Sequence, residues 1–383
     1  MLKTDHKRVV AIHTLHNNDQ AIAYIYSSLC IPEPKGNLKM IPLVPSLEPS
    51  KSEDYLVPVV PKAFKPVIYK FNYAAKWVED RFLKELKKVD AGYLWPGVSL
   101  QTIKTAKNFG KPLFIAPINC SQGKSKIILD DAYARLNIYP QHGITEEDIA
   151  IEKQQMEATD FVFCPSPEVK SSFIEMGIGE EKLFLSSFGW GKKRFPYCAS
   201  NSNIRPRCNN QEEGLNILFM GSVCVRKGAH LLMEYFIKSG VKGRLILCGK
   251  LEPAIAEVCK DYLKLPNIEH YDFNPNIAQL YEQADLFAFP SLEEGGPLVT
   301  YEAMAHGLPV LVSPMGAGSV VRDTLDGWIL PPYEEDAWIE KLRELARFAD
   351  LRWQVGQSAR TRAQDFEWER VASQRADVFL QHI

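Results

Sequence analysis

The sequence lacks any run approaching the about 18 uncharged apolar residues that a membrane-spanning helix needs, and its opening stretch, Met1 to His13, has no apolar signal-peptide region. These absences predict a cytoplasmic protein. Cysteine occurs 8 times but never as Cys-x-x-Cys, and Cys164, Cys224 and Cys248 lie in or beside apolar runs. That pattern predicts reduced core thiols, without disulfides or a zinc site. Neither sign of charge dominates, because 45 Lys and Arg stand against 47 Asp and Glu. No reader motif for nucleic acid is present, so nucleic acid is not an expected partner. Two nucleotide fingerprints are incomplete. Gly123-Lys124-Ser125 would need an earlier glycine where Ile118 stands, and Gly316-Ala317-Gly318 would need its third glycine at Val321. No Asp-x-Asp follows a strand-like run, while Asp130-Asp131 and Glu334-Glu335-Asp336 read as first-turn charges of helices. No metal and no cofactor are expected.

What is present is an alternation of strand-like and helical runs. At 383 residues and 46% apolar composition the chain can bury two ordinary cores. In the first half the strand-like runs are Val9 to Ile12, Leu113 to Ile118, Phe161 to Cys164 and Leu183 to Ser186. The second half is more regular, with Ile217 to Met220, Arg244 to Cys248, Asn267 to Tyr271, Leu286 to Phe289 and Val310 to Ser313. This spacing predicts an α/β protein of two open parallel sheets covered by helices. The polar, aperiodic stretch 196–213 reads as a linker between domains at 1–195 and 214–365. The last stretch, about 366–383, has helical spacing of Trp368, Val371, Ala372, Ala376, Phe379 and Leu380.

The most informative segment runs from Asp285 to Ser313, DLFAFPSLEEGGPLVTYEAMAHGLPVLVS. Pro297 suits a first helical position, Gly307 a left-handed cap, and Pro309 stops continuation, so the spacing predicts a helix over 297–306. Its N-terminus would present the amides of Leu298 and Val299 to an anion at the end of the preceding strand. Glu294 and Glu302 flank that place, and carboxylates beside a diphosphate are useful if they bind hydroxyls, as a sugar and a ribose provide. Upstream, the strand-like run ending at Met220 passes through Gly221 and Ser222 to Arg226-Lys227-Gly228 and a periodic helix. This is a second strand, basic loop and helix suited to a phosphate.

The two segments resemble the signatures of the family-4 retaining glycosyltransferases of the GT-B fold, here in the bacterial polysaccharide or glycolipid manner. Glu294-Gly295-Gly296-Pro297 stands for the family's Glu-Gly-Phe-Gly. Glu302 is followed by Ala303-Met304-Ala305-His306-Gly307-Leu308-Pro309-Val310. Gly296 replaces the aromatic, and Pro297 replaces a glycine whose amide could donate to phosphate. Lys227 matches the family's Lys-Gly position, with Arg226 supplying the second charge in place of an arginine at Ser222. The resemblance implies two Rossmann-like domains with a cleft between them, the final helix crossing back to the first. It implies transfer of a hexose from a UDP- or GDP-sugar to a hydroxyl of a saccharide or lipid-linked acceptor, with retention and without metal. Glu294, Arg226 and Lys227 would be catalytic. Glu302, Gly295, Gly296, Leu298, Val299, Gly221 and Ser222 would bind the donor, and Lys250, Tyr271 and Phe273 would lie near its base. Ala158 to Phe195 also fits the family, but residues 1 to about 157 match in outline only. His13-Thr14-Leu15-His16-Asn17-Asn18 stands where relatives have a glycine-rich loop, and Asn119 where many have a sugar-contacting histidine. His13 and Asn119 are therefore the acceptor-side or sugar-side candidates.

Other readings stay open at this level. A nucleotide-sugar epimerase or a phosphorylase could use the same fold, although no pyridoxal lysine is identifiable. A GT-B subunit without activity that stabilises a partner is the non-enzyme alternative. Residues 61–111 hold 11 Lys and Arg against 4 Asp and Glu. Phe71, Ala74, Ala75, Trp77, Val78, Phe82, Leu83 and Leu86 interleave with that charge, so the region could lie on an anionic membrane. The alternative is a surface helix with its apolar face in the core.

Overall fold

A computed structural model describes residues 6–15, 21–34, 36–47, 53–70, 73–195 and 214–383. The stretch 196–213, read above as a linker, and His16, Asn17, Asn18 and Phe71 lie outside the described residues. The chain divides into two compact units, one made of 1–122, 145–188 and 368–383, the other of 123–144 and 189–367.

The first unit is built on seven parallel strands. They are β1 (Lys7–Ile12), β2 (Leu38–Val44), β3 (Val57–Pro58), β4 (Ala91–Leu94), β5 (Leu113–Ile115), β6 (Phe161–Cys164) and β7 (Leu183–Leu185). Their spatial order is β3-β2-β1-β4-β5-β6-β7. Val9 to Ile12 are fully buried, as expected of a strand in a sheet covered on both faces. β2 escaped the sequence reading because Pro42 argues against a strand. The backbone carbonyl of Leu43 accepts from the His13 amide, so Leu43 faces β1, and Pro42, one residue earlier, faces away, where its missing N–H breaks no bond to β1. β4 was hidden by Gly92. A Cβ there would meet Leu113 at 2.9 Å and Phe82 at 3.0 Å, so the glycine allows a close approach.

The final helix, Trp368–His382, is part of this first unit. Phe379 packs on Tyr93, Phe114 and Phe163 with ring centroids 5.3, 4.5 and 5.2 Å away. Arg375 is 1% exposed; it donates to the Tyr93 hydroxyl at 2.5 Å and to the Ser186 carbonyl at 2.9 Å. The Trp368 indole N–H donates to the Tyr24 hydroxyl at 2.9 Å.

In the helix Ala74–Leu86, the residues Ala74, Val78, Phe82 and Leu86 are buried. Half of the apolar set considered for a membrane thus belongs to the core. The exposed group, Phe64, Val67, Tyr69, Tyr73 and Trp77, shares only Trp77 with that set. Ile68, on the short helix Lys65–Lys70, is buried with Val60 and Ala74 and anchors that segment from beneath.

The second unit has six parallel strands in the order β10-β9-β8-β11-β12-β13. These are β8 (Leu215–Met220), β9 (Gly243–Cys248), β10 (Ile268–Tyr271), β11 (Leu286–Phe289), β12 (Val310–Val312) and β13 (Gly327–Ile329). The chain winds outward from β8 in one direction and from β11 in the other. Loops leaving the carboxyl ends of β8 and β11 therefore part to opposite sides, and the crevice so formed is the usual ligand position of such sheets. No helix among the described residues is long and apolar enough to cross a membrane.

Candidate active site

The loop after β8 is shaped by two glycines. Gly221 has φ +118°, and a Cβ there would sit 3.3 Å from Lys227 Nζ, so the lysine runs back along the end of its own strand. Gly228 has φ +66°, and a Cβ there would lie 2.1 Å from the Pro290 carbonyl oxygen. The loop therefore seats directly on the segment following β11. Arg226 reinforces that contact, since its carbonyl accepts from the Leu292 amide at 2.9 Å. Glu252 steadies the loop from the other side. Its carboxylate accepts from the Val225 amide at 2.7 Å and from the Tyr133 hydroxyl at 2.6 Å.

These contacts bring Arg226 and Lys227 against the carboxylates after β11. Lys227 Nζ is 2.6 Å from Glu294 Oε1. Arg226 Nη1 is 3.4 Å from the same oxygen, 3.1 Å from Glu293 Oε2 and 2.9 Å from the Glu293 carbonyl. Glu293 Oε1 in turn accepts from the Ser125 hydroxyl at 3.1 Å. Ser125 and Tyr133 both lie on the helix Gln122–Arg135, which joins the second unit from Gly123 onward.

Both carboxylates are nearly excluded from water, with Glu293 1% and Glu294 7% exposed, yet their environments differ. Burial pushes the Glu294 carboxyl upward, but Lys227 and Arg226 together outweigh it and hold the group below the ordinary glutamate range. For Glu293 burial wins. Arg226 pulls its pKa down, Glu294 adds repulsion, and the group stays above the ordinary range. Burial opposes the charge of Arg226, but Glu294 and Glu293 overcompensate and raise its pKa further.

The second glutamate of the signature sits on the helix Leu298–Ala305. Pro297 caps this helix instead of occupying its first turn, and His306 ends it before Gly307 at φ 78°. The difference from the expected 297–306 is one residue at each end. Glu302 is 4% exposed. It accepts from the Tyr281 hydroxyl at 3.0 Å, and Arg194 Nη1 lies 3.4 Å from its other oxygen. Burial raises its pKa, with Arg194 and Tyr281 opposing. Tyr281 stacks on His306 at 4.7 Å, and His306 Nδ1 is 2.8 Å from the Glu302 carbonyl.

The other expected residues fall in three places. Gly221 and Ser222 begin the β8 loop, while Gly295, Gly296, Leu298 and Val299 lie in the loop and first helical turn after β11. Lys250, Tyr271 and Phe273 follow or end β9 and β10; Lys250 is exposed, and Tyr271 and Phe273 are 40% and 80% exposed. His13 and Asn119 belong to the first unit. His13 is fully buried between Tyr26 and Trp95, its ring nitrogens have no hydrogen-bond partner among the described residues, and burial lowers it to a pKa of about 4. Asn119 is half-buried in the loop after β5.

Sequence reasoning missed Glu293, Glu252, Tyr281 and Arg194. Glu293 was readable as half of an adjacent acidic pair in an otherwise apolar loop. Nothing in the local sequence around Glu252, Tyr281 or Arg194 marks them, because their partners are distant in the chain.

Residues 214–347 match the family model described as glycosyl transferases group 1. The match lies within the second unit, and the two parallel-sheet units have the GT-B fold. Solved structures agree in fold across nearly the whole chain. Sucrose-phosphate synthase from Thermosynechococcus elongatus aligns with TM-score 0.70 and 16% identity, covering 98% of this chain and 99% of that one. Anabaena Alr3699/HepE in complex with UDP and glucose aligns with TM-score 0.65 and 15% identity, covering 98% and 100%. Among curated relatives, the D-inositol 3-phosphate glycosyltransferase of Xylanimonas cellulosilytica is 30% identical over 192 residues, 46% of this chain and 45% of that protein. The chain spans less than half the length of that relative, and between 22% and 59% of the others compared.

Proposed function

We propose that the protein transfers a hexose from a nucleoside diphosphate sugar to a hydroxyl of a saccharide or lipid-linked acceptor, with retention of configuration. The observation that carries this reading is the cluster of Arg226 and Lys227 against Glu294 at the crevice between β8 and β11. In this reading Arg226 and Lys227 stabilise the leaving diphosphate. Glu294, kept ionised by those cations, accepts from sugar hydroxyls and faces the positive charge that develops as the anomeric bond opens. Glu302 accepts from the ribose hydroxyls. The amides near Gly295, Gly296, Leu298 and Val299, together with Gly221 and Ser222, surround the phosphates. Lys250, Tyr271 and Phe273 flank the base. Positioning and electrostatic stabilisation supply the rate, and two side-chain cations do the work that a divalent metal does elsewhere. The relatives' names favour transfer over epimerisation.

The test is nucleoside diphosphate release from UDP- and GDP-sugars, with and without saccharide acceptors, by the purified chain. Glu294→Gln and Lys227→Ala are expected to lower kcat by about 100-fold or more while leaving the circular dichroism spectrum unchanged. Near-normal turnover in either variant would sink the assignment. Excess EDTA is expected to leave turnover unchanged, and a large loss restored by Mg²⁺ would contradict the metal-free reading.

We also propose that the protein works at the inner face of a membrane, as a cytoplasmic protein with peripheral contact. Supporting this is the exposed set Phe64, Val67, Tyr69, Tyr73 and Trp77. It is interspersed with Lys62, Lys65, Lys70 and Lys76, and no Asp or Glu occurs from residue 61 to 77. The Phe64 and Trp77 rings lie together at 6.3 Å. Aromatic rings beside lysines suit the headgroup region of an anionic bilayer. Co-sedimentation with phosphatidylglycerol vesicles at low salt, weakened by Tyr73→Ser with Trp77→Ser, is the expected result. Equal recovery with phosphatidylcholine vesicles would contradict it.

A further inference from the structure

The site contains a carboxylate that the proposed reaction does not use. Glu293 has no assigned part in holding the sugar, yet it takes one edge of the guanidinium meant for the diphosphate. With both glutamates ionised, Glu293 and Glu294 balance Arg226 and Lys227, and the cluster is formally neutral. A diphosphodiester brings two more negative charges into this water-poor place. Like charges a few ångströms apart at low dielectric strongly disfavour one another's ionised forms.

The two carboxylates differ in how they can respond. Glu294 is clamped by a lysine at 2.6 Å, a partner that can only donate. Glu293 has a hydroxyl on Oε1, from Ser125 at 3.1 Å. A hydroxyl donates to a carboxylate and accepts from a carboxylic acid equally well, so this hydrogen bond survives protonation with its direction reversed. Burial already holds Glu293 nearer neutrality than an ordinary glutamate. Among the charged groups facing it are Arg226 and Glu294, with Lys227 behind Glu294.

We propose that Glu293 takes up a proton from solvent when the donor's diphosphate binds, so that Arg226 passes from the carboxylate to the phosphate and donor binding is proton-linked. The proposal rests on the nucleotide-sugar reading above. One proton adds to one carboxylate oxygen, and no other bond forms or breaks.

The experiment is isothermal titration of the intact chain with UDP-glucose and with GDP-glucose at one pH, in buffers of different ionisation enthalpy. A nucleotide sugar is the suitable probe because its phosphates do not titrate near neutrality. The expected result is proton uptake approaching one per sugar nucleotide bound, and an affinity that weakens by up to about tenfold per pH unit as pH rises through the linked range. E293Q, which keeps the shape and the hydrogen bonds, is expected to bind with no uptake and no such pH dependence. E152Q is expected to retain the uptake, since burial also raises Glu152, which has no assigned part in donor binding. Binding by wild type without proton exchange, or unchanged uptake in E293Q, overturns the inference and spares the donor reading. No binding of either sugar nucleotide overturns both.

Discussion

Tyr281 shows how a single side chain can set a site from a distance. Its hydroxyl donates to Glu302 at 3.0 Å and its ring stacks on His306, so one residue both steadies the carboxylate and fixes the end of the helix carrying it. Tyr281→Phe keeps the stacking and removes the hydrogen bond. A hydrogen bond to a charged group contributes about 1.5–3 kcal/mol, so donor KM is expected to rise about tenfold or more with kcat nearly unchanged. A fall in kcat with KM constant would mean that Glu302 acts on the reacting bond instead of holding the donor. At this scale the sequence was informative where chemistry is local. Glu294, Arg226 and Lys227 meet in the fold as adjacent motifs, but Glu293 was passed over because its neighbour filled the family position. Arg194 was passed over because a basic run before a linker gives no hint of a buried partner at Glu302.

Elements explain which boundaries were readable. The helix Leu298–Ala305 was found nearly to the residue because Pro297 and Gly307 act through backbone conformation. β4 and β2 were missed because Gly92 and Pro42 take part in a sheet for reasons visible only from the neighbouring strands and helix. Gly228, in the loop between β8 and its helix, is a costly position to change. Gly228→Ala combines a left-handed backbone with a Cβ 2.1 Å from the Pro290 oxygen, and is expected to destabilise the fold by about 3 kcal/mol, measured by urea unfolding. Glu152 is a second element-scale device. It accepts from the Gln122 amide at 2.7 Å, at the start of the helix Gln122–Arg135, and burial raises it to a pKa of about 7 despite that bond. A carboxyl with a folded pKa above its unfolded value binds more protons when folded. Its contribution to stability is therefore complete below the unfolded value of about 4.5 and is lost as pH rises through about 7. Thermal melts between those limits are expected to show wild type losing stability relative to Glu152→Gln. Parallel curves for the two proteins would refute this.

At the scale of the whole molecule, the last helix is a structural part of the unit that contains the chain's beginning. Arg375 and Phe379 are inserted among Tyr93, Phe114, Phe163 and Ser186. Ending the chain after Glu367 would expose those aromatic rings and leave the Tyr93 hydroxyl and Ser186 carbonyl without their buried partner. Such a truncation is expected to be insoluble, or to lose the first unit to limited proteolysis while the second resists. Equal resistance of both units would show the helix to be dispensable. The parallel α/β architecture could be read from alternating runs, because a buried strand is apolar throughout wherever it occurs. The membership of each unit could not, because it depends on side chains such as Ser125 and Tyr133 finding partners at Glu293 and Glu252.

The helix Gln122–Arg135 has a consequence for recombination between relatives. Residues 123–144 and 189–367 form one unit although 44 residues of the other, 145–188, lie between them in the chain. A single crossover placed in the stretch 196–213 would give a hybrid in which a foreign Ser125 and Tyr133 must meet a native Glu293 and Glu252. Hybrids should therefore inherit 123–144 together with the second unit, as an inserted cassette, and lineages that exchanged donor specificity by recombination should carry two exchanged blocks instead of one.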